Sequence, residues 1–327
     1  HGQVHLQKMN IRIFFALIIM SSALNSEENF GIVVHGGAGV MSGLSEESQQ
    51  EIHKKIQETV SQAYSILEEG GSSIDAVELA VSILEDSPLF NAGRGSVYTS
   101  DEIQEMDASI MEGENRLAGA VASVTTIKNP IKLARKVAEE TKHILLVGDG
   151  AERFAREIGV DVVDREYFYH KERLERVLNS KNKISKLNKE SDKIGTVGAV
   201  ALDRNGNIAA ATSTGGMTNK MPGRVGDSPI IGSGTWAQNG VCGVSSTGHG
   251  EYFIKYQVAR EVCARIEYLN QTLENSAASI INELKELDAS GGLIAIDHEG
   301  NIASPFNTKG MIRGSQTNKT NLKSDIY

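Results

Sequence analysis

Three short polar turns interrupt apolar, β-branched sequence in the second half of the chain: Asp203-Arg-Asn-Gly206, Asn239-Gly240 and Glu299-Gly300. Pairs of the Asn-Gly type adopt the positive-φ geometry of a tight hairpin, and a hairpin joins antiparallel strands. The first turn separates Thr196–Leu202 from Ile208–Thr212, the second precedes Cys242–Ser245, and the third separates Gly292–Ile296 from Asn301–Ala303. Further strands are expected at Phe30–Val34, running into a Gly-rich loop His35–Gly39, and at Met106–Met111 and Ala118–Val124, with a buried strand at His143–Val147. Helical sequence comes in blocks: 46–69, capped by Ser45 and stopped by Gly70-Gly71, then 74–85, 130–140, 150–158, 251–269 and 273–287. Antiparallel hairpins with blocked helices predict an α+β layered sandwich rather than a doubly wound parallel sheet.

A chain of 327 residues that is 40% hydrophobic buries a substantial core, which argues against disorder. The net charge of −9, with no long basic stripe, argues against a nucleic-acid partner. From Met9, a lone Arg12, an apolar run Ile13–Met20 and small residues to Ser26 resemble a secretory signal peptide. Eight apolar residues are too few for stable membrane insertion, which needs about 20. The expectation is a leader over 1–26 and an exported protein, periplasmic or secreted; without such a signal the location would be cytoplasmic. Residues 171–193 are about half charged and lack Gly and Pro, the composition of a mobile solvated linker whose first half can form a charged helix. Cys242 and Cys263 have neither zinc-site spacing nor the numbers of a disulfide framework, so they read as two small buried hydrophobes.

No G-x-S-x-G elbow, H-E-x-x-H helix or Walker loop is present. Unusual residues concentrate just after the linker. Thr196, in Gly195-Thr-Val-Gly-Ala-Val200, is either an ordinary β-branched strand residue or a latent nucleophile. Were the Gly195–Thr196 bond cut, Thr196 would gain an α-amine of pKa about 7.7–8.0 that can serve as base for its own hydroxyl. Arg224 and Asp227 stand three apart on a Gly/Pro-rich loop. They read either as a surface ion pair or as a clamp for the α-carboxylate and α-amine of an amino acid. Ser245–Glu251 offers hydroxyls and N–H groups for an oxyanion hole, or simply a helix-capping turn.

Taken together, His35-Gly-Gly-Ala-Gly39, Leu84–Gly93, Met106-Asp-Ala-Ser109, Gly195–Val200, Thr212–Asn219, Pro222–Pro229, Thr247-Gly-His-Gly-Glu251, Gly291–Ile296 and Pro305-Phe-Asn-Thr308 carry a resemblance. The sequence resembles the plant-type L-asparaginase/isoaspartyl peptidase family of N-terminal-nucleophile hydrolases over nearly all of the chain after residue 30. The resemblance implies a four-layer αββα sandwich and self-cleavage after Gly195, giving an α subunit (27–195) and a β subunit (196–327) within one catalytic domain. It implies that Thr196 is the nucleophile, that Thr214 orients it, that Asn91 lines the site, and that Thr247 and Gly248 form the oxyanion hole. Arg224 and Asp227 would hold the substrate, with Gly250 close by. A structural sodium held by backbone of Leu84, Glu85, Ser87, Phe90, Ala92 and Arg94 is implied, with no catalytic cofactor. Two αβ units would associate.

The implied reaction is hydrolysis of β-aspartyl dipeptides and L-asparagine through a Thr196 ester. Two other readings stay open: the sister glycosylasparaginases, which free N-acetylglucosamine from asparagine, and an uncleaved protein that only binds amino acids or peptides. Met217–Pro222 resembles the asparaginase side.

Overall fold

The computed structural model describes residues 28–39, 43–182 and 195–327; the expected leader and the second half of the linker, from 183 on, lie outside the described residues. Strands β1 (Gly31–Gly39), β2 (Met106–Glu112), β3 (Ala118–Val124), β4 (Leu145–Val147), β5 (Val197–Leu202), β6 (Ile208–Thr214), β11 (Gly310–Thr317) and β12 (Thr320–Asp325) form one sheet. Its order is β12-β11-β1-β5-β6-β2-β3-β4. Strands β7 (Thr235–Gln238), β8 (Cys242–Gly248), β9 (Gly291–Asp297) and β10 (Ile302–Ala303) form a second, ordered β10-β9-β8-β7. Pairings are antiparallel, as the turns predict, apart from the parallel pair β3–β4.

Alternation along the strands builds the layers. Ile32, Val34, Ala199, Ala201, Ala209 and Ala211 face one way, against helices α1 (Glu46–Glu68), α2 (Ser73–Glu85) and α3 (Pro130–Glu140). The intervening Val33, Val200, Leu202, Ile208 and Ala210 face the other way and meet Ile294 and Ile296 of the small sheet. The small sheet turns Val244, Leu293 and Ala295 outward onto α7 (Val258–Leu269) and α8 (Leu273–Glu286). The result is the expected αββα sandwich. Ser45 caps α1 through the Ser48 N–H, and Asp203 closes its turn by accepting from the N–H groups of Asn205 and Asn207.

Several expectations need correction. The Gly-rich segment is no loop: β1 continues through it to Gly39, with a register shift between His35 and Gly37. The strand at 143–147 is short, and Leu145 and Val147 are exposed because it is the sheet's edge. The helix expected over 251–269 is two, α6 (Gly250–Lys255) and α7, broken where Gln257 takes φ 48°. The first half of the linker forms α5 (Lys171–Asn182), which follows α4 (Gly148–Ile158); fully buried Val177 docks it, so that half is not a mobile tether.

The two cysteines are buried, as expected, but they are also joined in a disulfide. The fold brings the first residue of β8 against the middle of α7, a proximity that a spacing of 21 does not reveal. Closing a loop of that length is worth about 3 kcal/mol. A Cys242→Ala/Cys263→Ala variant is therefore expected to lower the thermal midpoint clearly, and thiol reductant to lower only that of the unaltered protein. Equal midpoints would contradict this.

Candidate active site

The β5–β6 ladder pairs Val197 with Ser213 and Gly198 with Thr212; one step further, Thr196 stands opposite Thr214. The Thr196 hydroxyl donates to Thr214 Oγ1 at 3.1 Å, and Thr214 Oγ1 also accepts the Gly216 N–H at 3.0 Å. Both threonines are nearly buried, and both line a cavity of about 250 Å³. Asn91 frames the same turn from beside it: its Nδ2 donates to the Gly216 carbonyl at 2.7 Å, and its Oδ1 accepts the Val97 N–H at 3.0 Å.

Gly195 lies close against the Thr247 hydroxyl. A Cβ there would stand 2.8 Å from Thr247 Oγ1, and one on Gly37 (φ +105°) would run into the Gly195 backbone. The register shift after His35 brings Gly37 to this place. Thr247 is fully buried on β8, where its Oγ1 accepts the Ala38 N–H at 3.3 Å. The small sheet therefore presents a hydroxyl beside the residue before Thr196, and Gly248, the next residue, lines the cavity.

Arg224 and Asp227 also line the cavity. They do not form the surface ion pair that their spacing allows. Arg224 instead grips Glu251 with two bonds, Nε to Oε1 at 3.0 Å and Nη2 to Oε2 at 2.9 Å. Sequence reasoning placed Glu251 in the right motif without seeing this pairing; the signal available was a carboxylate in the first turn of α6. Asp227 is buried, and its Oδ2 has no hydrogen-bond donor among the described residues. Burial pushes its pKa up to about 7, against the opposing pull of its own backbone N–H and of Arg224. A buried carboxylate with one oxygen left without a donor suits a cationic ligand group. Gly250 does not line the cavity but backs both residues: a Cβ there would meet Arg224 Nη2 and Asp227 Oδ1 at 2.9 and 3.0 Å.

The sequence of the chain from 28 to 325 matches the family described as asparaginase. The chain belongs to the asparaginase family. Isoaspartyl peptidase of Escherichia coli (strain K12) is 46% identical over 292 residues, 86% of this chain and 91% of that protein. The putative isoaspartyl peptidase/L-asparaginase of Dictyostelium discoideum is 41% identical, covering 90% and 95% respectively. The isoaspartyl peptidase/L-asparaginase of Bos taurus is 43% identical, covering 86% and 91%.

Residues that sequence reasoning did not assign also line the asparaginase cavity, among them Ala38, Met217, Asn219, Ser228, His249 and Ser180. His249 stands 3.8 Å from Glu251, the carboxylate that Arg224 grips. In the loop expected to hold sodium, two glycines let backbone carbonyls come close. Gly93 lets the Glu85 carbonyl approach, and Gly95 does the same for the carbonyls of Phe90 and Pro88; a Cβ at either glycine would collide with these oxygens. The Glu85 side chain faces elsewhere, accepting from Ser213 at 2.6 Å and from the Ile131 N–H at 3.0 Å.

Proposed function

We propose that this asparaginase-family chain cuts itself between Gly195 and Thr196 and then hydrolyses β-aspartyl dipeptides and L-asparagine with Thr196 as nucleophile. One observation carries the reading: a Thr196 hydroxyl hydrogen-bonded to a second threonine in a cavity also lined by Arg224 and by a buried carboxylate, Asp227, whose Oδ2 has no donor among the described residues.

Cleavage turns the Thr196 amide nitrogen into an α-amine. The neutral amine takes the proton of the Thr196 hydroxyl as Oγ1 attacks the β-carbonyl of the aspartyl group. Thr214 holds Oγ1 in line, and the Thr247 hydroxyl with the Gly248 backbone steadies the oxyanion. The amine returns its proton to the leaving nitrogen, and ammonia or an amino acid departs. Water, activated by the same amine, hydrolyses the aspartyl ester. Asp227 takes the substrate ammonium and Arg224 its α-carboxylate, which places the side-chain carbonyl at Thr196. Asparagine and β-aspartyl dipeptides differ only beyond the bond that breaks, so one site serves both.

Sodium would be held by the backbone carbonyls of Leu84, Glu85, Ser87, Phe90, Ala92 and Arg94, stabilising the loop that carries Asn91 and taking no part in the reaction. Two αβ units would associate. Export is supported by the leader-like sequence together with the buried disulfide, since disulfides persist in oxidising compartments. The test is product release: self-cleaved protein is expected to free ammonia from asparagine and amino acid from β-aspartyl dipeptides, and not N-acetylglucosaminylamine from its asparagine conjugate. Activity on the conjugate alone would overturn the reading.

A further inference from the structure

Ser180 lines the cavity that holds Thr196, although it belongs to α5, before the cut. α5 and its lead-in are tied to residues 98–104. Gln104 Nε2 donates to the carbonyls of Phe168 and Ser96 at 2.8 Å each, and the His170 N–H donates to the Tyr98 hydroxyl at 3.0 Å. Lys181 pairs with Glu102 at 2.7 Å, and Phe168 and Val177 are fully buried. None of these bonds involves a residue beyond 195. The same segment also frames the site: the Val97 N–H donates to Asn91, and the Asn219 N–H to the Tyr98 carbonyl at 2.9 Å.

We propose that α5 stays docked after the Gly195–Thr196 bond is cut, and that Ser180 forms part of the wall met by the leaving residue of a β-aspartyl peptide. The proposal rests on the hydrolase reading above. Arg224 and Asp227, backed by Gly250, occupy the aspartyl end of the cavity. Ser180 lines the same cavity as Asn91, Thr196 and Asn219, and the leaving residue is assigned to that wall. Its hydroxyl already donates to the Val177 carbonyl at 2.7 Å, so it acts by shape rather than as a donor to the substrate. Ammonia is too small to reach this wall, whereas an amino-acid leaving group is not.

The test is Ser180→Trp, with kcat/KM measured for asparagine and for a β-aspartyl dipeptide. The ratio of dipeptide to asparagine is expected to fall about tenfold, the scale on which a pocket senses a small excess of bulk. A ratio equal to that of the unaltered enzyme would overturn the proposal, since α5 would then have left the site. Recovery of the fragment beginning at Thr196 shows that the variant has folded; should it fail to self-cleave, Ser180→Leu provides the same ratio. Failure of the underlying reading shows separately, as unaltered enzyme that turns over neither substrate, and that result overturns both.

Discussion

Thr196→Ala is expected to remain a single chain indefinitely and to lose essentially all turnover, on the order of 10⁶-fold as for other lost nucleophiles. The expectation follows from one atom having two uses. In the intact chain the Thr196 hydroxyl belongs to the residue that follows Gly195 and donates to Thr214 at 3.1 Å. In the cleaved chain the same hydroxyl faces the substrate. Alanine removes both uses while leaving β5 otherwise intact, because the strand begins at Val197 and its pairing with Ser213 needs no side chain from 196. The melting temperature should therefore change little while cleavage and activity vanish together. Cleavage that persists in the variant would remove Thr196 from the central role.

The second large effect belongs to Asp227. Asp227→Asn is expected to cut kcat/KM by about 10²–10³, the cost of truncating one partner of a desolvated charge pair. It should also raise stability near pH 8. The sign follows from the shift: burial raises the pKa from 3.8 to about 7, so the folded state holds the proton more tightly than the unfolded chain does. The stability contribution is complete below about pH 4, declines as pH rises toward 7, and is absent above it. An amide carries no charge to desolvate and so removes that penalty, on the order of a few kcal/mol. Loss of function with gain of stability marks a residue kept for its ligand. In the unaltered enzyme kcat/KM should fall below about pH 7, as protonated Asp227 no longer accepts an ammonium. A variant both inactive and less stable at pH 8 would point to a structural role instead.

Much of this was legible in the sequence because it is local. Ser45 announces α1, Asp203–Gly206 announces the β5–β6 hairpin, and that hairpin alone places Thr196 across from Thr214. What could not be read depends on distant neighbours. The disulfide needs β8 and α7 to meet, and the Arg224–Glu251 fork needs α6 to turn back over the loop at 222–229. The β11–β12 hairpin at the end of the chain went unseen because β12, Thr320–Asp325, is a polar edge strand with little apolar alternation. Docking of the short helix α5 through Val177 was hidden by the charges around that residue, since a single apolar anchor in a charged run gives no period.

The most direct test of the account is intact-mass spectrometry of the purified protein, first alone at neutral pH and then quenched during turnover of asparagine. The account predicts two chains, the smaller beginning at Thr196, and during turnover a gain of one aspartyl acyl group on that chain, absent before substrate is added. A persistent single chain, or an acyl group carried anywhere but on Thr196, would contradict it.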